Sequence, residues 1–206
     1  MAIILGIYSS PRTMSASSAM ADAFLDQYRK RVPDDEVRTF NVFDRAIPEF
    51  AGVHADAKFA PVFKQERTPE QTAAWDDVLA EIAYFDEADK IVMAVPMWNY
   101  GIPWRLKMYF DTIVQPGVTF GYDFQTMLHF GKLRNRPVQL LLTRSSTMPG
   151  DFNDFQLSYL RYILGCIGLR DVRAIAAWKT TKADASERAA YVVEQCLQAR
   201  AAAESF

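Results

Sequence analysis

Residues 89–111 read DKIVMAVPMWNYGIPWRLKMYFD, and the fold expected for the chain follows from them. Ile91 to Val95, closed by Pro96, is an unbroken apolar run, the pattern of a strand buried on both faces. Leu106, Tyr109, Phe110 and Ile113 then recur at helical spacing. Between strand and helix, Gly101 permits a tight backbone turn, and Pro103 suits a first helical turn, where a missing N–H costs nothing. Trp98, Asn99 and Tyr100 are thereby pushed outward, two aromatic planes flanking a short amide beside a row of backbone N–H groups. Such a loop suits a flat ring with polar edges.

Working outward, the same alternation recurs on both sides. Ala2 to Tyr8 is an apolar run, Ser9 to Thr13 supplies loop chemistry, and Ser15 is placed to cap a helix carrying Met20, Phe24 and Tyr28 on one face. Glu36 to Phe43 reads as a second strand. Residues 50–68 lack clear periodicity and are long enough for a partly helical cover. Thr68 and Pro69 open a helix with Trp75, Val78, Leu79, Ile82 and Phe85 inward.

Beyond the central stretch, Gln115 to Tyr122 is an aromatic, glycine-punctuated excursion. Pro137 to Thr143 is a fourth strand, followed by a hydroxyl-rich loop and a helix with Phe152, Phe155, Tyr159 and Ile163. Val172 to Trp178 is the fifth strand, and Ala189, Val192, Val193, Cys196 and Leu197 define a closing helix. Nothing divides the chain, so residues 1–206 are expected to form one domain. Five strands alternating with helices call for an α/β fold, a parallel sheet in the order 2-1-3-4-5 with helices on both faces.

Composition narrows the function. A formal net charge of −2 over 206 residues gives no electrostatic footprint for nucleic acid or an anionic membrane. The opening MAIILGIYSSPR has no basic leader and too short an apolar run to span a bilayer, which points to a cytoplasmic protein. Cys166 and Cys196 lack any CxxC or metal-ligand spacing and read as free thiols, so no metal is expected. His54 and His129 stand apart from any ligand or triad pattern and read as surface residues. Asp44 reads as a solvated carboxylate, Lys107 and Asp111 as a helical ion pair, and Lys132, Arg134 and Arg136 as a solvated turn.

In a 2-1-3-4-5 sheet the crevice opens beyond the carboxyl ends of strands 1 and 3, where the first loop and the Trp98 loop meet. The first loop sets Ser9, Ser10, Thr13, Ser15, Ser17 and Ser18 around Arg12 at a helix N-terminus, a combination able to hold a phosphate dianion. It lacks the GxGxxG glycines that let a backbone approach a pyrophosphate, which favours a phosphomonoester. No GxSxG elbow follows a strand, which sets a serine hydrolase aside.

PMWNYGIPWRLKMYFD at 96–111, with GVTFGY at 117–122 and SS-x4-SAS at 9–17, resembles the signature of the FMN-dependent NADH:quinone oxidoreductase and azoreductase family. The resemblance implies a flavodoxin-like fold and a homodimer with FMN near the subunit interface. It also implies two-electron reduction of quinones or azo compounds by NAD(P)H. Carried over by position, Ser10, Ser15, Ala16 and Ser17 match the phosphate loop, and Met97, Trp98, Asn99 and Tyr100, led by Pro96, match the ring loop. The Ser-Arg-Gly-Gly stretch usual after strand 4 is here Arg144, Ser145, Ser146 and Thr147, so hydroxyls or Arg144 would replace main-chain donors. The flavin carries the chemistry, no catalytic side chain is obligatory, and a backbone N–H near Asn99 is the candidate donor to flavin N5. Phe59, Phe63, Phe120 and Tyr122 are the expected walls of a substrate pocket. The rival functions are a flavodoxin-type electron carrier and a non-catalytic flavin- or phosphate-binding protein.

Overall fold

The structure, a computed structural model, describes residues 1–146, 148–182 and 184–206. Along the chain run β1 (Ile3–Tyr8), α1 (Ala16–Arg31), β2 (Glu36–Asn41), α2 (Val53–Phe59), α3 (Pro69–Asp86), β3 (Lys90–Pro96) and α4 (Trp104–Ile113). There follow β4 (Phe120–Asp123), β5 (Leu128–Gly131), β6 (Val138–Thr143), α5 (Phe155–Cys166), β7 (Val172–Ala177) and α6 (Ala185–Ala203). Five strands form a parallel sheet ordered β2-β1-β3-β6-β7, and β4 pairs with β5, antiparallel, as a separate two-stranded ribbon. The expected five strands in the expected order are therefore present, with an added hairpin that the sequence did not disclose.

Burial explains the apolar runs. On one face Ile4, Val92, Ala94 and Leu141 pack beneath α1 and α6; on the other Leu5, Ile7, Met93, Val95, Leu140 and Leu142 pack beneath α3, α4 and α5. A sheet covered twice has no polar face to alternate with. The start of β1 is fixed from the side, since the Ala2 and Ile3 N–H groups donate to Asp35 Oδ1 (2.7 Å) and Asp89 Oδ2 (2.9 Å).

Local chemistry sets the helix starts. Ser15 accepts from Ser18 N at α1, and Thr68 forms a full capping box with Gln71 at α3. Thr68→Ala is expected to lower the unfolding free energy by about 1 kcal/mol and Thr68→Ser to retain most of it, measured by urea denaturation. A loss below about 0.3 kcal/mol would mean that the box is satisfied equally well by water.

Several expectations need correction. Pro103 is the N-cap of α4 and not its first residue, and α5 starts at Phe155, leaving Phe152 exposed. Leu79 faces solvent because α3 packs through Ala74, Trp75, Val78, Ile82 and Phe85, and Val193 and Leu197 do so because α6 packs through Gln195, Ala199 and Ala203. Arg136 is no solvated turn: it is buried, with Nη1 on the Asp86 carbonyl (2.9 Å) and carboxylate (2.8 Å) and its charge over the Phe85 ring. His54 is only half-exposed, its ring tilted against that of Phe50 with centroids 6.4 Å apart. No helix among the described residues is long and apolar enough to cross a membrane, and none of their His, Cys, Asp and Glu cluster as a metal site.

Candidate functional site

The register brings the loops together. Tyr8 pairs with Ala94, and Thr143 with both Pro96 and Ala177, so the chain leaves β1, β3, β6 and β7 at one edge of the sheet. The pairing continues past the strands: Ser9 N donates to Ala94 O (3.1 Å), Met97 N to Thr143 O (2.7 Å) and Arg144 N to Ala177 O (2.9 Å). Asn41 Nδ2 holds Ser10 O at 2.7 Å, tying the first loop to the end of β2.

These loops border one cleft of about 800 Å³. Ser10, Arg12, Thr13, Ser15, Ala16 and Ser18 line one end, and Pro96, Met97 and Trp98 line the other. Thr143, Arg144 and Ser145 after β6 and Thr180 and Thr181 after β7 continue the lining, and the first turns of α6 add a further wall. The reading of the sequence missed that last wall. The only signal for it was the Thr-Thr pair following the fifth strand.

The ring loop differs from expectation in its mechanics. Trp98 N donates to Gly101 O (3.1 Å) and Gly101 N to Trp98 O (2.9 Å), closing a two-residue turn. Its central residues, Asn99 and Tyr100, have φ of 47° and 68°, the mirror-image turn in which both take the left-handed conformation. Gly101 is therefore not the residue that makes the turn possible; Asn99 and Tyr100 carry the strain. Their own N–H groups donate to no acceptor among the described residues. Trp98 packs against Phe43 (ring centroids 5.8 Å apart), and Arg105 anchors the base of the loop through Val42 O (2.8 Å) and Arg45 O (3.0 Å).

Other expected residues are placed elsewhere. Ser9 is buried and its hydroxyl donates to Ala94 O (2.8 Å), and the buried Ser17 hydroxyl lies 3.0 Å from that of Ser15. Both side chains therefore serve the loop itself, while the Ala16 and Ser17 amides at the start of α1 are unspent among the described residues. The Arg144 side chain points inward. It meets Asp154 at 2.5 Å and Gln156 Oε1 at 2.9 Å, and its backbone N–H is spent on Ala177 O, so neither replaces a main-chain donor to the cleft. Ser146 borders neither this cleft nor the next, and Thr147 lies outside the described residues.

A second, more open cleft of about 470 Å³ lies behind the Trp98 turn, lined by Trp98, Asn99, Trp104, Lys107, Phe155 and Tyr159. Tyr100, half-exposed, borders neither cleft. The expected substrate walls, Phe59, Phe63, Phe120 and Tyr122, border neither cleft. Phe59 and Phe63 stack on each other, exposed, and Phe120 and Tyr122 pack around His129 on the hairpin. Apolar surface is instead exposed at Phe124, Met127, Leu128 and Phe130.

The donor set of the larger cleft suits FMN. Hydroxyls, helix amides and arginine from the first loop match a phosphate, and the Met97 and Trp98 surface matches a flat ring, with the unspent Asn99 N–H next to it on the second cleft. Ser10 adds a buried hydroxyl that donates to no acceptor among the described residues.

A family model described as a flavodoxin-like fold matches residues 3–200. The chain is 39% identical over 211 residues to the FMN-dependent NADH:quinone oxidoreductase of Nitratidesulfovibrio vulgaris (strain DP4), covering 100% of both chains. It is 35% identical over 185 residues to FMN-dependent NADH:quinone oxidoreductase 1 of Bradyrhizobium diazoefficiens, covering 88% of each. Among solved structures it resembles an azoreductase from Bacillus anthracis str. Sterne, with a TM-score of 0.87 at 21% identity over 100% of both chains. It also resembles an FMN-dependent NADH-azoreductase from Bacillus anthracis str. Ames Ancestor in complex with FMN, with a TM-score of 0.86 at 22% identity, covering 100% and 99%. Likeness at that identity speaks for the fold.

Proposed function

The chain belongs to the family of FMN-dependent NADH:quinone oxidoreductases built on the flavodoxin-like fold, and from that premise we propose that it is an FMN-dependent reductase carrying two electrons from NAD(P)H to quinones or azo compounds. The observation that carries the reading is the single cleft joining a phosphate-type end to an aromatic end at the reversal of the sheet order.

FMN, when bound, supplies the capacity to take up a hydride and pass it on. The protein's task is then to bind, orient and exclude water. Ser10, Ser15, Arg12 and the first amides of α1 hold the phosphate end, and Pro96, Met97 and Trp98 support the ring. The Asn99 N–H, unspent among the described residues, lies on the second cleft next to Trp98, which borders both, and would be the donor to N5. Ser145 lines the larger cleft, where its backbone and hydroxyl offer donors to the opposite edge of the ring. Nicotinamide and acceptor use the same face in turn, a ping-pong order in which the oxidised nucleotide leaves before the acceptor enters.

The working unit is a homodimer, since Phe59, Phe63, Phe120 and Tyr122 border neither of the two clefts and the hairpin presents Phe124 and Phe130 to solvent. A one-electron carrier would share the fold, but a bulky turn backed by a second aromatic cleft favours small-molecule substrates.

The test is to add stoichiometric FMN, desalt, and record the visible spectrum before and after anaerobic NADH. Retained flavin that bleaches on mixing is the expected result. Flavin that washes through would remove the reductase reading, and flavin that is retained but indifferent to NADH and NADPH would leave the carrier in its place.

A further inference from the structure

The first loop brings one guanidinium to the phosphate end of the cleft, and α6 brings a second. Arg188 lies in the opening turns of α6 and lines the same cleft as Arg12, Ser10, Ser15 and Ser18. Among the described residues neither Arg12 nor Arg188 has a carboxylate within 4.0 Å, whereas the buried Arg136 and Arg144 are each paired. Arg188 Nη1 donates to Lys182 O at 2.6 Å, which steadies the side chain and leaves most of its five N–H groups to spare.

The neighbouring acids are already engaged. Asp22 lines the cleft but accepts the Tyr8 hydroxyl at 2.6 Å. Asp184 accepts from the Ser186 hydroxyl (2.6 Å) and the Glu187 N–H (2.9 Å), and Glu187 lies 4.0 Å from Lys182. Those carboxylates keep their charge, but among the described residues none lies within 4.0 Å of either guanidinium, whose N–H groups are left without a carboxylate acceptor. The Ser10 side chain, 4% exposed, borders the same space with a hydroxyl hydrogen that no acceptor among the described residues takes. Two unpaired guanidinium groups and a buried, unspent donor facing one cavity are the surroundings of a dianion.

We propose that Arg188 and Arg12, one from α6 and one from the first loop, clamp the phosphate of FMN between them, with the Ser10 hydroxyl and the Ala16 and Ser17 amides completing its shell. The inference rests on the FMN reading and adds to it a residue more than 170 positions from the loop that the family signature marks. It makes Arg188 the residue that sets preference for a phosphorylated flavin over a bare one.

The experiment compares FMN with riboflavin, which lacks the phosphate, by flavin fluorescence titration of the wild type, Arg188→Ala and Arg188→Lys. Arg188→Ala should weaken FMN about 10- to 100-fold, the scale of one charge-assisted bond, and leave riboflavin within about twofold. Arg188→Lys should restore part of the loss, and FMN binding to Arg188→Ala should depend less steeply on salt. An unchanged FMN-to-riboflavin ratio in Arg188→Ala overturns the clamp, and so does an equal loss of both flavins, which would mark a support of α6. A wild type that binds neither flavin overturns the FMN reading itself, a result distinct from a wild type that binds FMN and a variant that matches it.

Discussion

Arg144→Ala is expected to lower the unfolding free energy by about 3–5 kcal/mol, because it removes one partner of an ion pair taken almost wholly out of water. The Arg144 and Asp154 side chains are 0% and 2% exposed and meet at 2.5 Å. Arg144 also donates to Gln156 Oε1 (2.9 Å), whose amide in turn donates to Val95 O in β3 (2.8 Å). Burial pushes the Asp154 carboxyl up, but the Gly150 N–H, Arg144 and the Leu157 N–H together outweigh it and hold the group below its ordinary value. A depressed folded value contributes stability that is present above the unfolded value of about 3.9 and lost as pH falls through the folded one. Without Arg144 the carboxyl titrates higher, so the gap between wild type and variant is full near pH 7 and narrows in acid. Urea melts at about pH 7 and about pH 3 check both parts. A neutral-pH loss under about 1 kcal/mol, or a gap that does not narrow, would show that the pair is not what holds the loop.

Gly131→Ala is expected to cost about 3 kcal/mol or more. A Cβ there would stand 2.0 Å from Gly168 N, 2.3 Å from Gly168 Cα and 2.4 Å from Ile167 C, all of them backbone that cannot rotate aside. The crossing is stitched by Leu133 N to Ile167 O (3.1 Å), and Gly168 itself sits at φ 110°. The control is Gly165→Ala in α5, where an added Cβ meets nothing within 4 Å; in a helix this change should be neutral or stabilising by up to about 1 kcal/mol. Equal melting temperatures for the two variants would mean that the hairpin swings clear at little cost, contrary to the close crossing.

What was legible in the sequence was what depends on solvent exclusion over a whole element. The strands of a doubly covered sheet announce themselves as apolar runs, and Ser15 and Thr68 mark helix starts because a cap needs a particular short side chain at one position. The ring loop was legible as a motif but not in its conformation: Gly101 drew attention, while Asn99 and Tyr100 take the left-handed angles. Arg136 was read as solvated and Arg144 as a donor to the ring because free charge usually faces solvent or ligand; their partners Asp86 and Asp154 lie 50 and 10 positions away, distances at which no local pattern operates. The hairpin was missed because each of its strands has only four residues, too few to display an alternation. On α6 the apolar pattern pointed the wrong way, since close approach to α1 selects Ala199 and Ala203 while bulkier Val193 and Leu197 are left outside. The α6 wall of the cleft, and Arg188 with it, depends on tertiary placement alone.

The closed Trp98–Gly101 turn has a thermodynamic consequence. Two strained residues with their amides already oriented mean that the conformational entropy of this segment is surrendered once, when the chain folds, and not again at each encounter with a ligand. Association at such a surface is not delayed by loop closure. The affinity it achieves is linked to the stability of the whole domain, which must keep the turn strained in the long intervals when nothing is bound.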